Sequence, residues 1–299
     1  MSKALLVTGA GGHLGRRVVE ILLAQNAGPI IATTRDPEKL ADLRARGVDV
    51  RRADFDSPES LAAAFAGAGR VLLVSTDSLD RPGRRIEQHR NAVDAAVKAG
   101  VDHIVYTSAP KAGPKSPVLV IPDHYATEQA LEASSIGYTI LRNNLYAELL
   151  LGALPRAIAT GQHFAAAGEG ATAYISREDC ARAAAAALAS SYTGRRVLEI
   201  TGTASLTQRE LAQIAADLSN KPVTYVPISR AALEAGMQQA GLPAPIAAIY
   251  ASFDEGISIG ELDVVTRAVE ELTGTPPEDV RSFLSRHKAA LLAPAASSH

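Results

Sequence analysis

The sequence predicts a doubly wound α/β fold, a parallel sheet with helices on both faces, followed by a smaller, mainly helical C-terminal lobe. Three observations carry this. Short apolar runs recur through the first half, segments with helical apolar spacing separate them, and the beat changes near Leu145. Strands that read as unbroken apolar runs are buried on both faces, the condition of a parallel sheet between two helical layers.

Taken in order, Ala4-Leu5-Leu6-Val7, Pro29-Ile30-Ile31-Ala32, Val48-Asp49-Val50, Val71-Leu72-Leu73-Val74, His103-Ile104-Val105-Tyr106 and Tyr138-Thr139-Ile140-Leu141 read as strands. Leu14, Val18, Ile21 and Leu22 share one helical face, as do Ile86, Ala92, Val93, Ala96 and Val97. Asp36-Pro37-Glu38 and Ser57-Pro58-Glu59 each put a capping residue before a first-turn proline and an acid. Gly100 ends the helix that closes with Val97-Lys98-Ala99. Beyond Leu145 the sequence predicts a helix to Ala159, a short run at His163-Phe164, an alanine-rich helix from Arg177 to Ser190, and strands at 197–200 and 223–226. The division expected is a cofactor domain over 1–145 and a substrate lobe over 146–299, with the 197–200 strand rejoining the main sheet. The closing Ala-Pro-Ala-Ala-Ser-Ser-His is expected to fray.

Composition narrows the function. At about 150 residues per domain, 299 residues make one large domain or one with an annex. Lys and Arg number 30 against 32 Asp and Glu, so the net charge of -2 argues against a broad footprint for nucleic acid or an anionic membrane. The longest apolar run, Ala183 to Ala189, falls far short of the roughly 20 residues that span a bilayer. Met1-Ser2-Lys3 leads straight into a strand without a signal-peptide pattern. Cys180 is the single cysteine, read as a buried, inert thiol, which excludes a disulfide framework or a cysteine-rich zinc site. A cytoplasmic protein with no metal is expected. Its core is aliphatic, since aromatic residues make up 4% and Trp is absent.

The segment Thr8-Gly9-Ala10-Gly11-Gly12-His13-Leu14-Gly15 follows the first strand and opens the first helix, the context a dinucleotide loop requires. Gly9 allows a tight turn, Gly12 lets a pyrophosphate approach the backbone, and Gly15 lets the helix pack closely on the strand. The helix N-terminus then holds the phosphates. The fold is therefore of Rossmann type. At the end of the second strand Thr34 stands where NAD-binding chains carry an acid, and Arg35 follows, which favours NADPH over NADH; Asp36 is occupied as a cap. Asp54 is placed to accept from an adenine amino group or to form an Asx-turn, with Phe55 beside it. Ser75 and Thr76, after the fourth strand, supply contacts on the nicotinamide side.

The Gly-x-x-Gly-x-x-Gly spacing, Gln88-His89-Arg90-Asn91, Tyr106-Thr107-Ser108, His124 with Thr127-Glu128, Leu141-Arg142-Asn143-x-x-Tyr146, Ala167-Gly168-Glu169-Gly170 and Gly241-Leu242-Pro243 together resemble an atypical short-chain dehydrogenase/reductase of the NmrA-like group. The branch most resembled is that of type 2 NAD(P)H:quinone oxidoreductases and triphenylmethane reductases. The chain departs from typical short-chain reductases at Tyr-x-x-x-Lys, where His124 stands for the tyrosine and Glu128 for the lysine. A frame shifted by one gives Tyr125 and Gln129, without the cation.

The resemblance implies an oxidoreductase whose small conjugated acceptor takes hydride without strong acid catalysis, so the protein mainly orients the reactants. His124 is the first candidate proton donor and Tyr146 the second, against bland readings as a helix hydrogen bonder and a packing residue. The segment Leu141 to Leu145 is implied to contact cofactor, with Asn143 able to bond the carboxamide and Asn144 beside it. Met237, Leu242, Ile246, Ile249 and Tyr250 read as lobe core ahead of substrate wall, although Tyr146 and Tyr250 are candidates to stack on a flat acceptor. Two other readings stand: an NmrA-like redox sensor that binds dinucleotide without turnover, and a carbonyl or imine reductase with a different proton donor. Oligomeric state is left open.

Overall fold

A computed structural model describes residues 3–293; Met1, Ser2 and tail residues 294–299, expected to fray, lie outside the described residues. The strands in chain order are β1 (Ala4–Val7), β2 (Ile30–Thr34), β3 (Asp49–Arg52), β4 (Ala68–Leu73), β5 (His103–Ser108), β6 (Gly137–Asn143), β7 (Gln162–Ala165), β8 (Ala171–Thr172), β9 (Arg195–Ile200), β10 (Leu206–Thr207) and β11 (Thr224–Pro227). Seven form one sheet in the order β3-β2-β1-β4-β5-β6-β9, parallel throughout. The chain reverses direction of travel between β1 and β4, which opens a crevice at their carboxyl ends.

The strand pleat divides the core in two. Leu5 and Val7 of β1 face a cluster built with the helices His13–Ala24 and Arg177–Ala189. Ala4 and Leu6 face the opposite cluster, under the helices Pro58–Phe65, Arg84–Lys98 and Ile121–Ala133. Alanines 181, 183, 184, 185 and 187 are all buried, and their small side chains let the 177–189 helix lie close to the 13–24 helix. Arg70 of β4 ends that helix by donating to the carbonyls of Leu188 at 2.8 Å and Ala187 at 3.1 Å, where helix carbonyls lack partners. The second half of the chain thus supplies both an edge strand and a covering helix to the main sheet, so the packing cuts across a division at residue 145.

The rest of the second half forms a lobe around Leu150, Leu154, Ile158, Leu211 and Phe283. β7 and β11 pair in parallel at its centre. Thr207 and Glu210 form a reciprocal capping box at the start of the helix Gln208–Ser219. The helices Arg230–Gln239 and Ala244–Ser258 pack on each other, and the first has no buried residue. No helix among the described residues is long and apolar enough to cross a membrane.

Candidate functional site

The loop after β1 takes its shape from its glycines. Gly9 has a φ of 62°, left-handed and open to glycine without cost. A Cβ on Gly15 would lie 2.5 Å from the carbonyl oxygen of Gly9, so only a residue without one allows the helix to start there. Gly12 precedes the helix in extended conformation, and no side chain caps it. The first-turn N–H groups, which no helix carbonyl can reach, are left for an anion.

Gly9, Gly11, Gly12, His13, Leu14, Gly15, Arg35, Asp54, Ser75, Thr76 and Tyr146 are brought together on the wall of one cleft of about 560 Å³. Thr8, Ala10, Leu141, Asn143 and Asn144 are not on it. Thr8 donates to the Leu72 carbonyl at 3.0 Å and accepts from the Val74 N–H at 2.9 Å, stapling β1 to β4. Ala10 is buried and donates its N–H to Thr33. Leu141 is fully buried in a core cluster, which corrects its expected contact with cofactor. Asn144 is consumed internally, donating to the Leu262 carbonyl at 3.0 Å and accepting from the Leu145 N–H at 2.8 Å. Asp54 forms the Asx-turn: its Oδ1 accepts from the N–H of Asp56 at 3.0 Å.

At one end of the cleft Arg35 and Lys39 both face inward. The carboxylates on this rim are engaged elsewhere, Asp42 with Arg16 and Glu38 with Arg44, while Asp36 caps through the N–H of Glu38. Along the cleft, buried Thr33 Oγ1 and Gln88 Oε1 have no hydrogen-bond partner; Asn143, off the cleft wall but 3.5 Å through Nδ2 from the Tyr146 hydroxyl on it, has its buried Oδ1 likewise unpartnered. A buried acceptor left without a donor costs about 1–3 kcal/mol. Donors on a bound dinucleotide would remove that cost, so the residues present fit such a ligand. Sequence reasoning missed Lys39 and gave Gln88 no role. Lys39 could have been found, since it follows Arg35 within one short turn.

The floor of the cleft is held by buried polar side chains. His89 Nε2 accepts from the Thr76 N–H at 3.0 Å, and Arg85 donates to the Thr76 carbonyl at 2.8 Å. Arg85 also donates to His124 Nε2 at 2.7 Å, while His124 Nδ1 lies 2.8 Å from the Tyr106 hydroxyl. Both ring nitrogens of His124 are therefore engaged. Burial and the Arg85 charge hold its pKa well below the ordinary histidine value. His124, expected as the first candidate proton donor, is here a buried member of the clamp and lies on the wall of neither the cleft nor the lobe cavity. Glu128 is likewise satisfied, by Arg142 at 2.6 Å and by the Ser108 hydroxyl at 2.6 Å. Tyr146 lies on the cleft with the Arg177 guanidinium 5.3 Å from its ring centre, and burial pushes its phenol up.

A second cavity, of about 800 Å³, lies in the lobe between the Leu150–Thr160 helix, β7 and the two helices over 230–258. Met237, Leu242 and Tyr250 line it. The leaning toward lobe core is thus corrected for these three: Met237 lies on the 230–239 helix, which buries none of its residues, Leu242 follows that helix, and Tyr250 lies on the 244–258 helix packed against it. Leu145 and Glu148 belong to this wall, and Tyr146 to the cleft, so the segment 145–148 separates the two. Cys180 is buried and free, its thiol raised by burial.

A glycine loop at the switch point of a parallel sheet defines a Rossmann-type dinucleotide-binding protein. A family profile described as NAD(P)H-binding matches residues 9–191, and the chain belongs to that family. Quinone oxidoreductase 2 of Escherichia coli is 37% identical over 282 residues, 94% of this chain and 97% of that one. Among solved structures, the Escherichia coli NADPH-dependent quinone oxidoreductase with NADPH superimposes with a TM-score of 0.88 at 36% identity, covering 94% of this chain and 99% of that one. The Citrobacter sp. triphenylmethane reductase with NADP(H) gives 0.88 at 35%, with coverage of 94% and 99%.

Proposed function

We propose that this chain is an NADPH-dependent reductase that passes hydride from nicotinamide C4 to a quinone or similar conjugated acceptor held in the lobe cavity. The observation that carries this reading is the shared wall: residues 145–148 have the dinucleotide cleft on one side and a largely apolar cavity on the other. In this reading the loop at 9–15 holds the pyrophosphate, Arg35 and Lys39 take the 2′-phosphate, and Asn143 accepts from the carboxamide. Tyr146 positions the nicotinamide side. Residues 1–145 supply most of the cofactor cleft, and the lobe supplies the acceptor cavity.

NADPH supplies the hydride; the chain's own groups orient the acceptor and exclude water. A quinone spreads the charge it receives over its ring system. This suits a site in which His124 and Glu128, at the positions of the usual acid and lysine, are bound up in structural pairs. The absence of an intramolecular disulfide, with one buried thiol, accords with a cytoplasmic setting. The test is NADPH oxidation by the purified protein with a panel of quinones, azo compounds and enones. Turnover with quinones is expected. NADPH binding without turnover across the panel would overturn the enzyme reading in favour of a redox sensor.

A further inference from the structure

The lobe cavity carries a carboxyl group that the fold leaves without a counter-charge. Asp254 lies on the Ala244–Ser258 helix and forms part of the cavity wall. Its Oδ2 accepts from the N–H of Ala166 at 2.6 Å, and its other oxygen has no hydrogen-bond partner among the described residues. The same cavity wall carries Phe253, Met237, Leu242 and Tyr250. Burial raises the carboxyl above its ordinary value, opposed only by the Ala166 bond.

Most of the other charged and titratable groups on this wall or on the elements packed around it are already engaged, and Arg156, exposed on the same wall, makes no ion pair with Asp254. Glu148 accepts from the backbone N–H of Arg177 through both oxygens, at 3.0 and 3.2 Å. Glu255, next along the same helix, holds Arg230, and Glu169 holds Arg209. From β7, His163 bonds Gln208 at 2.8 Å, and burial keeps its ring below the ordinary histidine value. From β11, the Tyr225 hydroxyl donates to the Gly168 carbonyl at 3.0 Å. Tyr174 is buried with its phenol pushed up to about 12, and Arg156 is exposed on the cavity wall.

Asp254 is half-buried, so its carboxylate keeps only part of its hydration and has no ion-pair partner within the fold. Such a group on the wall of a largely apolar cavity matches a ligand that brings its own positive donor. We infer that Asp254 anchors a protonated nitrogen on the acceptor, which makes the lobe cavity selective for conjugated acceptors that carry a cationic amine arm. The inference rests on the acceptor occupying this cavity. The carboxylate form is the one that pairs, so the selectivity is present at neutral pH and lost as acid protonates Asp254.

The test compares two naphthoquinones, one with an aminoalkyl arm and one with an alkyl arm of equal length, in calorimetric binding to the NADPH-free protein. The aminoalkyl ligand is expected to bind on the order of tenfold more tightly. Asp254→Asn keeps the size of the side chain and an acceptor for Ala166. It should remove the preference while leaving the alkyl ligand's Kd unchanged, and lowering the pH on the native chain should do the same. A preference that survives in Asp254→Asn, or no preference in the native chain, overturns the inference. Gly236→Trp, which fills the cavity, tells the two failures apart. If both ligands still bind this variant unchanged, the placement of the acceptor fails; if both are lost but were never distinguished by charge, only the role of Asp254 fails.

Discussion

Arg85 donates to Nε2 of His124 at 2.7 Å, and this contact fixes the state of the ring. A guanidinium has no acceptor atom, so Nε2 carries the lone pair and Nδ1 the proton, which is given to the Tyr106 hydroxyl at 2.8 Å. Protonating His124 would set two cations face to face in the core. The ring therefore orients Arg85, and Arg85 orients Thr76 on the cleft. His124→Ala should leave the pH profile of kcat unchanged in shape, while costing about 1.5–3 kcal/mol of stability through the unsatisfied guanidinium. Denaturant unfolding and a pH series on the same variant check this. A limb of the profile that disappears with His124 would restore it as proton donor.

The buried histidines also set the response to acid. Burial lowers His89 to about 3 and His103 to about 4, and His124 well below its ordinary value. In the unfolded chain each titrates near 6.5, so below that pH the unfolded state binds protons that the folded state refuses. Their stabilisation is fully present above about pH 6.5 and is lost as pH falls, through about 4 for His103 and about 3 for His89. The slope is about 1.4 kcal/mol per pH unit for each group. His89→Gln, which keeps an acceptor for Thr76, should flatten the slope by about one proton; an unchanged slope would show that His89 is charged in the fold.

These histidines also mark where the sequence was legible and where it was not. The parallel strands were readable because burial on both faces leaves unbroken apolar runs, and β1 is buried at all four positions. The glycine loop was readable because Gly9 and Gly15 meet steric demands that no other residue satisfies. The surroundings of His124 were not legible because they depend on Arg85, 39 positions earlier in the chain, and no local pattern reports that pairing. Leu141 lies in a strand buried between two layers, where the family resemblance pointed at the right segment but the pleat turned this side chain to the core. Met237 and Leu242 have the spacing of core residues, and only the placement of the 230–239 helix and the segment after it turns them to a cavity.

The 2′-phosphate contact is tested by Arg35 and Lys39 together. Each charge-assisted contact to phosphate contributes about 1.5–3 kcal/mol, so either alanine substitution should raise the Kd for NADPH by roughly 10- to 100-fold. NADH, which lacks the phosphate, should bind within a factor of about 3 of the native value. Titrations of both nucleotides against Arg35→Ala and Lys39→Ala decide the matter. Equal losses for the two nucleotides would mean the cations act on the pyrophosphate or the fold.

Gly15 offers a steric test. A Cβ there would meet the Gly9 carbonyl oxygen at 2.5 Å, and both atoms belong to backbone that cannot move without shifting the turn or the helix. Gly15→Ala should cost about 1–3 kcal/mol of stability, as overpacking does, and should displace the N–H groups that hold the phosphates. NADPH affinity should fall by more than tenfold even where the variant remains folded. Gly12→Ala is the comparison, since its Cβ would lie 3.4 Å from the same oxygen. Its loss of stability should be smaller, with any effect falling on nucleotide binding.

Tyr146 separates an orienting wall from a proton donor. Its hydroxyl lies 3.5 Å from Asn143 Nδ2, a long contact, and burial pushes the phenol up, away from the range in which it would release a proton at neutral pH. The ring is fixed more firmly than the hydroxyl, by the Arg177 guanidinium over its face and by the parallel bridge from Tyr146 to Ile175. Tyr146→Phe keeps the ring and should lower kcat by less than about tenfold, short of the 10²–10⁴ that a general acid contributes. Tyr146→Ala removes the side chain at the wall between the cleft and the lobe cavity. It should raise the KM for quinone and for NADPH together, because the two ligands are oriented by the same surface. Steady-state kinetics on both variants distinguish the roles: a hundredfold fall in kcat for the Phe variant alone would assign the proton to the hydroxyl.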